Sequence, residues 1–321
     1  MPIPPPVPIP GLPPPRDGVG ASSVGLPAGP WATWLEFFVA RFPHMAPAIW
    51  HERLRRGEVL DAQGRPLAAD DAYRPHGVAH YYRSLDDEPR VPFEAQVLYR
   101  DAHLLVADKP HFLAVTPGGR YLQETLLVRL KRATGLADLQ PLHRIDRETA
   151  GLVLFGLRRQ DRAAYHALFH DRQIDKEYEA VAPLRPGLAW PLARASRIVR
   201  GEPFFRQCEA EGAPNAFTQV ALAEARGAWG RYRLQPATGQ RHQLRVHMAA
   251  LGVPIRDDAF YPEVRRGPDE ADDYGRPLQL LAKAIAFTDP VTGAQRRFES
   301  ARALQTLAVD PATDSGAHRP R

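Results

Sequence analysis

The sequence predicts an α+β protein with a mixed, largely antiparallel central sheet and flanking helices, preceded by a small helical module. Three observations lead to this class. Two segments with apolar residues at helical spacing come early in the chain, short strand-like segments dominate from Ala95 onward, and strands and helices do not alternate regularly. A doubly wound sheet requires that alternation, so the pattern favours mixed or antiparallel pairing instead.

The first 30 residues are rich in proline, with nine prolines among the first fifteen positions. Because proline lacks the N–H that helices and sheets need, we expect residues 1–30 to form an extended or disordered arm. Residues 304–321 are expected to form a similar disordered tail.

Residues 31–85 are expected to form a compact unit. The stretch "WATWLEFFVARF" has helical apolar spacing, and "APAIWHERLRRG" predicts a second helix that stops near Gly57. Three arginines crowd the end of this helix: Arg53, Arg55 and Arg56. A short strand, "EVLDA", and a turn at Gly64 follow. Residues 86–95 are predicted to be a linker.

The rest of the core is predicted in 96–303. Two strands joined by a turn are expected in "AQVLYRDAHLLVADKP", a helix ending at Gly135 in "YLQETLLVRLKRATG", and a buried strand in "GLVLFGL". An amphipathic helix follows in "QDRAAYHALFHDRQ". Further strands are expected in "DKEYEAVAP", "AFTQVALAEA", "GRYRLQPA" and "QLLAKAIAFTDP", with a helix over about 242–251.

The composition indicates which partners and which cellular compartment suit this protein. The net charge of +5 is mild support for a polyanionic partner, because a basic surface gains affinity by releasing counterions from phosphates. The single cysteine, Cys208, excludes an internal disulfide framework and a multi-cysteine zinc site. No secretory signal or membrane-spanning apolar run is evident, so we expect a cytoplasmic protein that does not contact a membrane.

The segment "PLHRIDRETAG" places Asp146 between Arg144 and Arg147. In an extended segment, residues two apart share a face, so Arg144 and Asp146 are expected to point the same way. A carboxylate beside a guanidinium stays ionised and is then available as a nucleophile or base. The alternative is an exposed ion pair, but the cluster directly precedes a strongly apolar strand.

The segment "PATGQRHQLRVHMAALGVPIRDD" predicts a turn at Thr238 and Gly239, followed by a helix that carries Arg241 and Arg245 early. Positive charges at a helix start oppose the macrodipole. Their presence suggests that they serve a carboxylate or a phosphate, and the alternative is an exposed basic helix.

These two segments carry a resemblance to a known family. "HRIDRETAGLVLF" is similar to the aspartate signature of the RluA-type pseudouridine synthases, and "PATGQRHQLRVHMAALGVPI" resembles a later motif of that family. "VADKPHFLAVTP", "DKEYEAV" and "LLAKAIAFTDPVTG" resemble three more of its motifs, in the family's order. The resemblance covers roughly 96–300, and it implies the pseudouridine synthase catalytic fold there.

The resemblance implies isomerisation of uridine in structured RNA, ribosomal or transfer, to pseudouridine. It gives Asp146 the role of nucleophile or base, Arg245 the role of its charge partner, and Tyr178 that of a stacking group. No cofactor and no metal are implied, and we expect a monomer. Arg144 is expected to fill the gap left by a flipped base.

Residues 31–85 resemble the RNA-binding module of ribosomal small-subunit protein four, although a solvated basic helix is the alternative. The residues expected to contact RNA are Arg144, Arg147, Lys109, Arg241, Arg53, Arg55 and Arg56.

Several positions depart from the family pattern. Ile145 replaces the usual Leu, Ala150 the usual Ser and Leu281 the usual His, while Phe112 and Asp257 stand where Gly is common. Two rival functions remain open at this point. A non-catalytic RNA-binding protein should have lost Asp146, Tyr178 or Arg245, and all three are present. A metal-dependent nuclease needs clustered carboxylates or histidines. The acidic run at 268–273 is the one candidate for such a cluster, and we interpret it as a solvated loop.

Overall fold

The computed structural model describes residues 13–83, 85 and 88–305. Its helices are α1 (Trp34–Arg41), α2 (Pro47–Arg55), α3 (Leu126–Thr134), α4 (Arg162–His170) and α5 (Gln243–Ala250). Its strands are β1 (Ser22–Gly25), β2 (Val59–Leu60), β3 (Val78–Tyr81), β4 (Gln96–Arg100), β5 (Leu104–Lys109), β6 (Gln140–Pro141), β7 (Ala150–Gly156), β8 (Ile174–Pro183), β9 (Leu192–Arg200), β10 (Gln207–Ala210), β11 (Ala216–Arg226), β12 (Trp229–Pro236), β13 (Leu280–Thr288) and β14 (Gln295–Glu299).

The chain divides into two compact units. The first contains the described residues up to Arg90 together with Thr116–Asp138, and the second contains Val91–Val115 and the described residues from Leu139 onward. This grouping differs from the predicted boundary at 86–95, because α3 lies in the first unit. Val128 of α3 packs there with Val19 and Leu122.

The first unit is built around aromatic side chains. Its sheet has the antiparallel order β1-β3-β2. α1 begins after Thr33, whose side chain accepts a hydrogen bond from the N–H of Glu36. Phe38 of α1 stacks on Trp50 of α2 with the ring centroids 4.6 Å apart. Trp34 and Phe38, two of the apolar residues in the first predicted helix, are buried.

β1 corrects the prediction that residues 1–30 have no sheet pairing. Ser22 lies opposite Tyr81, and Gly25 lies opposite Val78. No proline occurs between Pro15 and Pro27, so the backbone N–H groups of this stretch are available for a ladder. Residues 1–12 of the predicted arm lie outside the described residues.

The second unit contains an eleven-stranded sheet with the order β10-β9-β11-β12-β8-β13-β7-β5-β4, to which β14 adds at β13 and β6 at β7. Among the described strand pairs of this sheet, β7 and β13 are parallel and the others antiparallel. The predicted mixed, largely antiparallel sheet is therefore confirmed.

Two helices cover one face of this sheet. Tyr165 and Leu168 of α4 pack in a cluster with Ile174 at the start of β8, whereas Leu244 and Met248 of α5 pack in a cluster with Ala180. Ile174 and Ala180 are an even number of residues apart on one strand, so their side chains share a face. α4 and α5 thus lie on the same side of the sheet, over different parts of β8.

The predicted disordered tail begins too early by at least one residue. Leu304 is buried in a cluster with Ala150, Val181 and Leu281, which ties this part of the chain to the sheet. Residues 306–321 lie outside the described residues.

Candidate active site

Asp146 lies on the loop between β6 and β7, five residues before Gly151. Gly151 has a φ of +112°, and a Cβ atom there would lie 2.3 Å from the carbonyl oxygen of Ala282. Only glycine permits that approach, which lets β7 pair in parallel with β13. The loop that carries Asp146 is thereby fixed to the centre of the sheet.

The same row of the sheet carries Tyr178. Gly151 is the register partner of Ala282, and Ala282 is the partner of Tyr178 on β8. Burial raises the pKa of Tyr178 above its usual value, and the negative charge of Asp146 raises it further. Tyr178 is therefore a protonated, half-buried ring near Asp146.

α5 enters the site through a tight backbone turn. The amide of Gln243 is buried, and its oxygen accepts hydrogen bonds from the Thr238 hydroxyl at 2.7 Å and the Gln240 N–H at 3.0 Å. Its nitrogen donates to the Phe217 carbonyl at 3.0 Å. These bonds attach the start of α5 to β11. The helix begins at Gln243, so Arg241 and His242 precede it.

Arg245 is almost fully buried, at 1% exposed. Its Nε and Nη2 atoms donate to the two carboxylate oxygens of Asp258 at 2.8 and 2.7 Å. Its Nη1 lies 3.4 Å from Asp146 and 3.7 Å from Glu148. Burial alone would lower the pKa of Arg245, but the three carboxylates outweigh it and raise it. The basic residue of α5 thus serves carboxylates, as the sequence suggested.

Asp146 takes its charge partner from far along the chain. Its Oδ2 accepts from Arg245, 99 residues away, while neither neighbouring arginine contacts its carboxylate within the described structure. Arg144 is exposed, and the side chain of Asp146 is 25% exposed. The structure contains the predicted pairing of Asp146 with Arg245. Arg144 and Arg147 are neighbours of Asp146 in the sequence, but they do not form an ion-pair cluster with it.

Arg147 points away from Asp146. Its Nη1 and Nη2 donate to the carboxylate of Asp272 at 2.7 and 2.9 Å, and its Nε donates to Glu148 at 3.1 Å. The Asp272 side chain is 3% exposed. The acidic run at 268–273 is therefore not simply a solvated loop, because one of its carboxylates is buried against Arg147.

Glu148 completes the buried charges. Burial favours its neutral form, but the positive charges of Arg147 and Arg245 outweigh that effect and lower the pKa of Glu148 to about 2. Its carbonyl oxygen lies 2.7 Å from Nδ1 of His111. Both the side chains and the backbone of the loop from 146 to 148 therefore make contacts that fix its position.

Lys109, at the end of β5, is fully buried beneath this loop. Its Nζ donates to the carbonyl oxygens of Pro110 and Arg147, both at 3.0 Å. Burial lowers the pKa of Lys109 to about 7, against the opposing attraction of Glu148. Lys109 supports the loop from inside, which leaves it poorly placed for the RNA contact that the sequence suggested.

His242 approaches Asp146 from the turn before α5, where its φ is +56°. Its Nε2 is 3.9 Å from Oδ1 of Asp146, and its Nδ1 is 2.9 Å from the hydroxyl of Tyr261. The same hydroxyl accepts a hydrogen bond from the N–H of Gln207 at 2.7 Å. Burial lowers the pKa of His242, so the ring is neutral at neutral pH.

Sequence reasoning missed four residues of this site: Glu148, His242, Asp258 and Tyr261. Glu148 and Asp258 lie next to residues that were singled out, but no local pattern distinguishes them from surface acids. His242 stands beside a charged residue in the segment before α5, and no local pattern shows that its ring faces Asp146. Among the described residues, no group of three histidines, cysteines or acids could hold a metal ion.

The other residues predicted to contact RNA lie partly in the second unit and partly in the first. Arg144 and Arg241 are exposed in the second unit. Arg53, Arg55 and Arg56 lie in the first unit, where Arg53 is buried with its guanidinium 5.1 Å above the Trp50 ring. Arg55 and Arg56 are exposed and both bind Glu52, at 2.5 and 2.6 Å.

Two departures from the family pattern have a shared backbone feature. Phe112 and Asp257 both have a positive φ, of 66° and 60°. This region of backbone space favours glycine. Phe112 packs against Tyr274 with the ring centroids 5.1 Å apart, and Asp257 binds Arg276 at 2.9 Å. Each side chain thus makes contacts that a glycine could not.

Known proteins are similar to this chain over more than half of its length. A family profile described as RNA pseudouridylate synthase matches residues 103–250. A dual-specificity RNA pseudouridine synthase RluA of Salmonella typhi is 32% identical over 207 residues, which cover 63% of this chain and 91% of that protein. An uncharacterized RNA pseudouridine synthase of Synechocystis is 28% identical over 233 residues, covering 71% of this chain and 78% of the relative.

Solved structures agree on the fold. The human RNA pseudouridylate synthase domain containing 1 superposes with a TM-score of 0.54 at 21% identity, covering 70% of this chain and 95% of that one. The human RNA pseudouridylate synthase domain containing 4 gives a TM-score of 0.51 at 23% identity, covering 65% and 88%.

The chain belongs to the RNA pseudouridine synthase family. Its relatives named RluA place it with the RluA-type enzymes, which isomerise uridine in RNA to pseudouridine. In the part of the chain that the structure describes, no helix is long and apolar enough to cross a membrane.

Proposed function

We propose that Asp146 is the catalytic carboxylate of a cofactor-free uridine isomerisation on ribosomal or transfer RNA in the cytoplasm. The observation that supports this most strongly is the arrangement of Asp146 between Arg245 and His242, with Tyr178 beside it. Asp146 is partly exposed, whereas the groups that hold it are buried. Such a site presents one ionised acid to a substrate.

The reaction conserves atoms and oxidation state. The bond between N1 of uracil and C1′ of the ribose breaks, the base turns, and C5 bonds to C1′. The hydrogen on C5 leaves as a proton, and N1 gains one. Asp146 either attacks the sugar or removes a proton from it, and both routes need an ionised carboxylate.

Arg245 holds that carboxylate in position and faces it with a positive charge. Because Asp258 holds two of its N–H groups in a buried bidentate pair, the guanidinium cannot turn, and its remaining Nη1 faces Asp146. Tyr178, protonated at neutral pH, provides a flat surface for stacking on the uracil ring.

His242 orients the other oxygen of Asp146. In this proposal the hydroxyl of Tyr261, which accepts the N–H of Gln207, donates its own hydrogen to Nδ1 of His242. The neutral ring then carries its proton on Nε2, which faces Asp146 at 3.9 Å. This distance is too long for a hydrogen bond, and such contacts tighten when a substrate closes the site.

The remaining basic residues supply RNA contacts in this proposal. Arg144 is exposed next to Asp146 and fits the role of filling the space left by a flipped uridine. Arg241 is exposed at the entrance to α5. Residues 31–85 are proposed to add affinity through the exposed Arg55 and Arg56.

The proposal is tested with Asp146→Asn, which removes the charge at nearly constant volume. RNA labelled with tritium at C5 of uridine, taken from a strain that lacks this enzyme, releases tritium when pseudouridine forms. We expect release to vanish in the variant while folding and RNA binding persist. Asp171→Asn is the matched control, since its side chain is 51% exposed beside His170. Tritium release at the wild-type rate by Asp146→Asn would refute the assignment.

A further inference from the structure

A second concave site lies beside the loop that follows α5. It is a cavity of about 440 Å³, and Arg256 and Asp257 form part of its wall. The next residue, Asp258, holds Arg245. The proposed chemistry at Asp146 does not use this cavity. All of the residues that line it belong to the second unit.

The cavity is strongly basic. Three arginines line it, Arg256, Arg265 and Arg276, with Asp257 as its one acidic residue, so three positive charges and one negative charge give a net charge of +2. Like charges gathered around one space repel each other unless an anion lies among them. A solvated arginine face could also carry such charges, but it would not need them arranged around a cavity.

Asp257 fixes two of these arginines. Arg276 donates to its Oδ1 from Nε at 3.0 Å, and Arg256 lies 3.6 Å from its Oδ2. The Asp257 side chain is only 7% exposed. It also occupies a left-handed backbone position, with φ of +60°, where glycine is favoured. The ion pairs give a reason for an aspartate at a strained position that is commonly glycine in this family.

Arg256 is further ordered by Trp229. Its guanidinium carbon lies 4.7 Å above the centre of the Trp229 ring, a cation–π geometry. Stacking on an aromatic face holds the plane of the guanidinium. Arg265 is exposed, and among the described residues its side chain meets no carboxylate. The cavity therefore combines two positioned guanidiniums with one uncompensated charge.

We infer that this cavity binds a phosphodiester group of the substrate RNA, on a strand segment outside the cleft that receives the target uridine. The inference rests on the proposed RNA substrate. Guanidinium groups recognise phosphate oxygens through paired hydrogen bonds, and three around one cavity suit a single bridging phosphate. Because Asp257 and Asp258 are consecutive, a phosphate held here lies close to the support of Arg245.

The test is the salt dependence of binding to a fluorescein-labelled oligouridylate. Arg265→Gln/Arg276→Gln removes two of the three guanidiniums, both on exposed side chains, and fluorescence anisotropy is recorded from low to moderate salt. For single-stranded RNA, we expect the slope of log affinity against log salt to become shallower by about 0.7 for each phosphate that the variant no longer neutralises. Thermal melting checks that the variant is folded.

A matched control removes the same charge elsewhere. Arg158 and Arg159 are exposed and do not line the cavity, so Arg158→Gln/Arg159→Gln lowers the net charge equally. The control should keep the wild-type slope. Equal slopes for wild type and Arg265→Gln/Arg276→Gln would overturn the inference, and so would an equal flattening in both double variants, since that would indicate only a general charge effect.

A second probe separates phosphate from base contacts. An oligouridine with neutral methylphosphonate linkages should bind the wild type and Arg265→Gln/Arg276→Gln alike, and a difference between them would overturn the phosphate assignment. These binding experiments can fail without contradicting the proposed function. Absence of the slope effect contradicts the cavity alone, whereas tritium release by Asp146→Asn contradicts the catalytic assignment alone.

Discussion

Two groups of arginines and carboxylates use the same chemistry in opposite surroundings. At the end of α2, Arg55 and Arg56 both bind Glu52, three and four residues away, on exposed side chains. Around α5, Arg245 binds Asp258 and Asp146, which lie 13 and 99 residues away, and it is almost fully buried. Charges that are close in sequence are neutralised locally in the first group, whereas the second group exists only because the chain has folded.

The difference decides what each group can do. Exposed pairs exchange easily with water and contribute about 0–1 kcal/mol, so Arg55 and Arg56 remain available to other anions. A buried bidentate pair cannot exchange, because an unpaired buried charge costs several kcal/mol. Arg245 is therefore a fixed part of the site, and the exposed Arg55 and Arg56 can exchange their partners.

Among the substitutions that test this comparison, Arg245→Met should cause the largest loss of stability and activity. It leaves the carboxylate of Asp258, at 1% exposed, without its partner, and such losses cost about 3–5 kcal/mol of stability. Tritium release should fall steeply as well, because Asp146 loses the buried guanidinium that holds it in position.

The matched change in the exposed group is Arg55→Met, for which urea unfolding should show a loss below about 1 kcal/mol. Arg245→Lys serves where the Met variant does not fold, since it keeps the charge but not the paired geometry. Similar stability losses for Arg245→Met and Arg55→Met would contradict the comparison.

The second expected effect is that the contribution of Glu148 to the free energy of unfolding depends on pH. Its pKa is lowered from 4.5 to about 2, so its ionised form stabilises the folded state. That stabilisation is complete above pH 4.5 and is lost as the pH falls toward 2. The shift corresponds to about 3 kcal/mol. Urea unfolding of wild type and Glu148→Gln should therefore differ by about this amount at pH 7, and the difference should shrink below pH 4.5.

Glu224→Gln provides the control, because the Glu224 side chain is 56% exposed. Its difference from wild type should stay small at every pH. A Glu148→Gln difference that is independent of pH would show that the carboxylate charge does not carry the stabilisation.

A smaller effect is expected for Tyr261→Phe. Without the hydroxyl, the neutral ring of His242 is free to place its proton on Nδ1 and to turn a lone pair toward Asp146. We expect kcat to fall by about tenfold, roughly 1.4 kcal/mol, with KM for RNA unchanged. Because a protonated ring donates from both nitrogens, the rate relative to wild type should rise as the pH falls toward the lowered pKa of His242.

Tyr232→Phe controls for the loss of a buried hydroxyl. Its hydroxyl donates to the carbonyl of Pro183 at 2.9 Å, in a fully buried setting of the same unit. It should lose stability without changing the pH profile of kcat. If Tyr261→Phe behaves in the same way, then Tyr261 has only a structural role.

The smallest effect concerns the exposed group itself. Arg55→Gln/Arg56→Gln should flatten the salt slope of RNA binding by at most about 0.7–0.9 for each arginine, with no change in the single-turnover rate. Arg53→Gln should lower the melting temperature and leave the slope unchanged, because Arg53 is buried. A flattened slope for Arg53→Gln, or an unchanged slope for the double variant, would contradict this division.

Much of the fold could be predicted from the sequence, although several strands could not. β5 and β7 are buried along their whole length, so their apolar runs were clear signals. β9 was missed because its sequence, "LARASRIVR", places arginines between small residues and has little apolar character. β1 was missed because the prolines around it dominated the interpretation of the first 30 residues.

The sequence by itself determined the fold class and the family, and it singled out Asp146, Tyr178 and Arg245 as candidate site residues. These rest on local patterns: apolar periodicity, turn residues and short motifs in a fixed order. Only the tertiary structure decided which charges meet. It held Arg245 against Asp258, turned Arg147 toward Asp272 and buried Arg53. The physical reason is that the strength of a charge pair depends on burial and on partners brought from distant parts of the chain, and neither is written in the spacing of neighbouring residues.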